Sequence, residues 1–204
     1  TIEPGKTTTG DLDKLGFELL EKANAKPSFL GYRNFPNSLC ISTNEEVVHG
    51  LPGQRVLNSG DIVGLDLGVF YEGWHVDSAW TYPVGDVDEA TTRLLNVTRE
   101  SLFQGIAKAR IGNRIGDIAN TIQRYVESNK YHVVQELVGH GIGRTVHEEP
   151  SVPNFGRAGQ GPALREGMTI CIEPMVNMGT RKVRELKDGW TVVAADGRYS
   201  AHFE

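Results

Sequence analysis

Four carboxylates and one imidazole, Asp66, Asp77, His140, Glu173 and Glu204, fall in order along the chain at the ends of strand-like or glycine-rich runs. A carboxylate taken out of water without a partner costs several kcal/mol, so a chain that buries these runs must bring its acids to a shared counter-charge. Glu173 is the sharpest case. It closes the apolar run from Met168 to Ile172 and precedes Pro174, which predicts a buried strand over 168–172 ended by the proline. Two counter-charges stay open: a buried arginine, or divalent cations, for which an oxygen-rich set with one imidazole is suitable chemistry.

The first acid pair has a register that can be read directly. Strands are predicted over 62–70 and 74–82, with Glu72-Gly73 as a two-residue turn. If Tyr71 lies opposite Trp74, then Phe70 faces His75, Gly68 faces Asp77 and Asp66 faces Ala79. Both aspartates then project from one face as diagonal neighbours, with Cα atoms roughly 7–8 Å apart, and Gly68 keeps that face open. No lysine or arginine occurs between Leu57 and Arg93 to neutralise them locally.

The run from Gly139 to Pro150 holds Gly139, Gly141 and Gly143 around His140, which predicts a loop whose backbone approaches a ligand closely. His140 alone is as compatible with a satisfied core histidine as with a ligand. No His-Glu-x-x-His pattern is present, so a zinc site of that kind is excluded. Glu148 and Glu149 are expected to face solvent or to orient His147. Glu204 is weaker evidence by position, since a last residue is often solvated, and the alternation Tyr199, Ala201, Phe203 against Ser200, His202, Glu204 does not say which face is buried.

A length of 204 residues fits one domain, or one built from two similar halves. A net charge of -5 offers nothing to a phosphate backbone, so nucleic acid is not an expected partner. No apolar stretch approaches the roughly twenty residues that cross a bilayer, and no membrane association is expected. Cys40 and Cys171 are far apart in apolar runs, which reads as reduced, cytoplasmic usage. Helices are predicted over 10–25, with Leu12, Leu15, Leu19, Leu20 and Ala23 facing the core, over 87–110, and over 115–129, with Ile115, Ile118, Ala119, Ile122, Tyr125 and Val126 on one face. Short strands are expected at 133–137, 191–194 and 199–203, and the aromatic, irregular stretch 29–48 reads as a pocket wall. The class is α+β, with helices on one side of a largely antiparallel sheet. Gly10-Asp11-Leu12 and Gly116-Asp117-Ile118 open two of the helices alike, a faint echo of a duplicated half.

Several motifs together carry a more specific resemblance. They are 46–52 (Glu-Val-Val-His-Gly-Leu-Pro), 60–63, 74–78 (Trp-His-Val-Asp-Ser), 139–143 (Gly-His-Gly-Ile-Gly), 147–150, 167–169, 172–175 (Ile-Glu-Pro-Met) and 188–191. With these the chain resembles the methionine aminopeptidases of the shorter, type I kind, from Pro4 to Glu204. The resemblance implies the pita-bread fold, in which pseudo-twofold halves form a curved antiparallel sheet backed by helices. It also implies two divalent ions (Co, Mn, Fe or Zn) held by Asp66, Asp77, His140, Glu173 and Glu204, which activate a water for attack on a peptide carbonyl. On the same basis Glu173 is the base, His147 stabilises the oxyanion and His49 contacts the departing amide. Phe29, Tyr32, Phe35, Cys40, Val146 and Trp190 map to the wall of a pocket for methionine. The implied substrate is the N-terminal methionine of nascent peptides with a small second residue, and the implied enzyme is a cytoplasmic monomer; ribosome contact and an organellar address stay open. Val76 stands where the family has glycine. A helix before Pro4 and a strand after Glu204, usual in the family, are expected to be missing from a single catalytic domain over 1–204. The rivals are a proline-specific aminopeptidase of the same fold and a binding module that has lost its metals.

Overall fold

The computed structural model describes residues 1–204. Helix α1 (Thr9–Lys22) starts where Asp11 Oδ2 accepts from Thr8 N at 2.9 Å and Thr8 Oγ1 accepts from Asp11 N at 3.1 Å, a reciprocal cap. It stops at Ala23, well before Pro27, because Asn24 turns to a left-handed φ of 54° and leads into a short strand, β1 (Lys26–Pro27). The expected apolar face is only partly buried. Leu20 is in the core, but Leu15 and Leu19 are 44% and 56% exposed. Polar anchoring and close approach hold the helix instead: Asp13 accepts from Asn37 Nδ2, Ser38 N and Leu39 N, each at 2.9 Å, and Gly16 lies directly against Leu39.

The stretch expected to be irregular contains two strands, β2 (Cys40–Thr43) and β3 (Glu46–Val48). β2 is buried at every position and so shows no alternation to read. Strands β4 (Ile62–Asp66), β5 (Val69–Tyr71), β6 (Trp74–Val76) and β7 (Ala79–Pro83) follow as one long hairpin, β5 pairing with β6 and β4 with β7. The register is the expected one, with Tyr71 opposite Trp74, Phe70 opposite His75 and Asp66 opposite Ala79. The two predicted long strands are nevertheless broken in the middle, so that β2-β4-β7 and β1-β5-β6 form separate three-stranded sheets. Gly68 sits at the break, and its role differs from the expected one. A Cβ there would lie 2.6 Å from Phe29 Cε1 and 2.8 Å from Ser28 Cβ, so Phe29 fills the space that the glycine leaves.

Helix α2 (Glu89–Ile106) is capped by Asp88 Oδ1 accepting from Thr91 N at 2.7 Å, and α3 (Ile115–Ser128) begins where Asp117 Oδ2 accepts from Arg114 N at 2.8 Å. The α3 face is buried as expected, through Ile115, Ile118, Ala119, Ile122 and Val126. Seven short strands complete the chain: β8 (His132–Val133), β9 (Gly139–Gly141), β10 (Glu148–Val152), β11 (Met175–Asn177), β12 (Val183–Glu185), β13 (Val192–Ala194) and β14 (Ser200–His202). They pair as β10-β9, β14-β11-β8 and β12-β13-β3, all antiparallel. Helices α2 and α3 pack on one another and on the strands β7, β8, β11 and β14. The largest core cluster joins Leu94, Leu102, Ile118, Ile122 and Val126 of these helices to Val176, Ala201 and Phe203.

Two local expectations are corrected. The run 168–172 is not a strand, and Pro174 precedes a ladder, β11, instead of ending one. The run is tied to β9 by Ile142 N donating to Thr169 O and Cys171 N donating to His140 O. The histidine loop begins and ends in the strand pair β9-β10, and two of its glycines face protein backbone, while Gly143 faces the Glu148 carboxylate. A Cβ on Gly139 would run into the Cys171 carbonyl, and one on Gly141 into that of Glu149. The echo between helix starts, by contrast, is structural. Gly10 N donates to Gly53 O at 2.8 Å and Gly116 N to Gln160 O at 2.9 Å, so each half docks its helix onto a following loop in the same manner. No helix is long and apolar enough to cross a membrane.

Candidate active site

Asp66 ends the central strand β4, between Cys40 of β2 and Ala79 of β7. Asp77 occupies the break between β6 and β7, where Leu67 N donates to Ser78 O across the gap. Glu204 arrives from the other half, its backbone N donating to Ala79 O at 2.8 Å, which sets it beside the Asp66 pairing. Carboxylate oxygens of Asp66, Asp77 and Glu204 lie within 4.8 Å of one another. Glu204 belongs as well to a second cluster, with His140 and Cys171, of the same span. Glu173 completes that side, its Oε1 3.5 Å from His140 Nε2 and its Oε2 3.9 Å from His202 Nε2.

The electrostatics of this cluster are unbalanced by the protein alone. Burial, then the charge of Asp77, raises the Asp66 carboxyl well above the usual range, and burial, then Glu204 and Asp77, does the same to Glu173. Burial pushes Asp77 up to about 6, and burial followed by the Asp77 charge pushes Glu204 up to about 8. No lysine or arginine pairs with any of the four, which removes the buried-arginine alternative. Asp66 Oδ1 and Glu204 Oε1 are buried with no hydrogen-bond partner. His140 adds a further observation. Its Nδ1 is 2.8 Å from Gly141 O, an acceptor only, so Nδ1 carries the proton and the bare Nε2 faces a carboxylate oxygen. Acceptors aimed at one another call for a cation between them, and the donor set of carboxylates and one imidazole suits divalent ions.

These residues share one cavity of about 200 Å³ with the expected pocket wall: Phe29, Tyr32, Phe35, Cys40 and Trp190 line it together with Asp66, Asp77, His140, Glu173, Glu204, His49 and His147. Val146 does not line it. That side chain is buried behind the wall, in a cluster with Phe29, Phe35 and Cys40. Phe35 meets Trp190 edge to face at 5.0 Å between ring centroids. His147 Nδ1 lies 2.9 Å from the Tyr32 hydroxyl, and its ring is 4.2 Å from that of His140. Burial first, then the neighbouring His140, lowers His147 to about 4, so it is a neutral imidazole at neutral pH. Glu148 and Glu149 are exposed, and it is Tyr32, not either acid, that orients His147; Glu148 Oε1 accepts from Thr145 N instead. His49 reaches the cavity from a left-handed backbone, φ 58°, followed by Gly50, whose Cα faces the Ile41 carbonyl with no room for a side chain.

His202 was not singled out from the sequence, yet it lines the cavity, is buried, and has an Nε2 without a partner. The signal lay in the alternation over 199–204, which puts His202 and Glu204 on one strand face; only the burial of that face was missing. Arg33 is the one cationic side chain of the lining and projects from a left-handed turn over the Tyr32 ring.

Metallopeptidase family M24 matches residues 1–204. The chain is 55% identical to a methionine aminopeptidase of Clostridium perfringens over 203 residues, covering 100% of this chain and 81% of the relative. It is 49% identical to methionine aminopeptidase 1 of Bacillus subtilis, covering 100% and 82%. The crystal structure of methionine aminopeptidase from Rickettsia prowazekii superposes with a TM-score of 0.97 at 42% identity, over 99% of this chain and 82% of that one.

Proposed function

Because the chain belongs to metallopeptidase family M24 and, within it, to the type I methionine aminopeptidases, we propose that it releases the N-terminal methionine of nascent peptides with a small second residue, using two divalent cations. The observation that carries this reading is the convergence of four largely covered carboxylates, unpaired with any lysine or arginine, and the bare His140 Nε2 on a single cavity with an aromatic wall. Asp66, Asp77 and Glu204 would hold one cation and His140, Glu173 and Glu204 the other. When bound, such a pair supplies positive charge that acidifies a water and polarises a carbonyl. Manganese, iron, cobalt and zinc all suit the donor set.

The remaining steps belong to the chain's own groups. Glu173 takes the proton of the attacking water and passes it to the leaving nitrogen. Tyr32 O–H, donating to His147 Nδ1, leaves the His147 proton on Nε2, where a neutral imidazole can donate to the carbonyl oxygen as it gains charge. His49, which lines the same cavity, contacts the departing amide. Phe29, Tyr32, Phe35 and Trp190 present ring edges and faces to which a thioether packs well. The substrate's free α-amine is drawn to the acidic end of the cavity, which restricts cleavage to the first residue. Both cysteines are unpaired, in keeping with a reducing, cytoplasmic setting.

Release of the first residue from Met-Ala and from Xaa-Pro peptides, measured before and after exhaustive chelation and after metal is restored, tests the proposal. Turnover of the Met-Ala peptide alone, lost on chelation and recovered with metal, is expected. Full activity of the metal-free protein would overturn it, and preference for the Xaa-Pro peptide would redirect it to a proline-specific enzyme.

A further inference from the structure

Glu173 is held between two imidazoles that are fastened very differently. His140 has Nδ1 engaged with Gly141 O and turns its bare Nε2 toward Glu173 Oε1. His202, on the other side, keeps Nε2 buried and unpartnered 3.9 Å from Oε2. Its backbone is clamped at both ends by one side chain of the opposite half: Thr81 Oγ1 donates to His202 O at 2.7 Å and accepts from His202 N at 3.0 Å, all within buried structure. The clamp leaves the imidazole little freedom except at its own rotatable bonds. The separation of 3.9 Å is longer than a hydrogen bond but too short for a bridging water, since two bonds of about 2.8 Å meeting at a water's angle span about 4.4 Å. A small turn of either side chain closes the gap and satisfies a nitrogen that is otherwise buried at a cost.

We propose that His202 is a positioning residue for Glu173: its Nε2–H donates to Oε2, sets the plane of that carboxylate and so aims its free lone pairs at the reacting water. Thr81 holds the donor in register from β7, so the orientation of a group in one half is set by a threonine in the other. The proposal rests on the reading of Glu173 as the base.

The test combines steady-state kinetics on a Met-Ala peptide with calorimetric titration of manganese into metal-free protein. His202→Phe keeps a planar ring and removes the donor. It is expected to lower kcat about 10- to 100-fold, leaving KM and manganese affinity close to wild type, while His202→Gln, which keeps an N–H, recovers most of the loss. In a Glu173→Gln background, His202→Phe should add no further loss, because its partner's function is already gone. Wild-type kcat in His202→Phe, a parallel fall in manganese affinity, or an additive loss in the Glu173→Gln background would each overturn the proposal. Wild-type kcat in Glu173→Gln itself would instead overturn the base assignment, so the two failures are told apart. Should His202→Phe fail to fold, Thr81→Ala releases the clamp without entering the cavity and is expected to show a smaller loss in kcat at unchanged KM; no change in either would count against the proposal.

Discussion

Asp66 and Asp77 reach the cavity from the two arms of one interrupted hairpin, whereas His140, Glu173 and Glu204 come from three segments that meet only through the fold. In the N-terminal half the ladder from Tyr71–Trp74 to Asp66–Ala79 places both acids by local register. In the C-terminal half the work is done by single clips, Cys171 N to His140 O and Glu204 N to Ala79 O, with β9 and β14 beside them only three residues long. Glu204 follows the C-terminal half in sequence but joins the aspartates in space. The comparison teaches that the two halves supply a joint site and not two equal ones: one half places its acids by hairpin register, and the other by contacts between distant segments.

The largest effect that would break this picture concerns shared dependence. His140→Ala and Asp66→Asn are each expected to abolish turnover and to lower bound metal in elemental analysis, although they lie in different halves. Retention of more than a few per cent of activity in either would show that the halves serve separate sites. His147→Ala comes next, with kcat reduced about a hundredfold, the usual effect of losing one oxyanion donor; an effect confined to KM would remove that role. The smallest effect sharpens the contrast in rigidity. Gly68→Ala meets the flexible Phe29 ring and Ser28, and is expected to cost about 1 kcal/mol. Gly141→Ala meets the Glu149 backbone, which cannot yield so easily, and is expected to cost about 3 kcal/mol, the upper end of overpacking penalties. Equal urea midpoints for the two variants would dissolve the distinction.

What could be read in advance follows the same division. The hairpin register and the α3 face were legible because each depends on neighbours within a few residues. The long-range features were not. β2 is hidden by burial on both faces, and the glycines around His140 suggested a ligand when they make room for the carbonyls of Cys171 and Glu149. Leu15 and Leu19 have helical spacing and yet are exposed, since periodicity names a face without naming what covers it.

By itself, then, the sequence singled out the residues proposed to carry the chemistry: acids embedded in apolar runs, a histidine among glycines and an irregular aromatic stretch, all recognisable as residue types that burial makes costly or useful. Only the tertiary structure decided that Glu204 stands with Asp66 and Asp77, that Tyr32 orients His147, that Val146 backs the wall instead of lining it, and that His202 faces Glu173. The physical reason is that each of these depends on a contact between segments far apart in the chain, where the decisive terms are the packing of one backbone on another and the exclusion of water from the space between them.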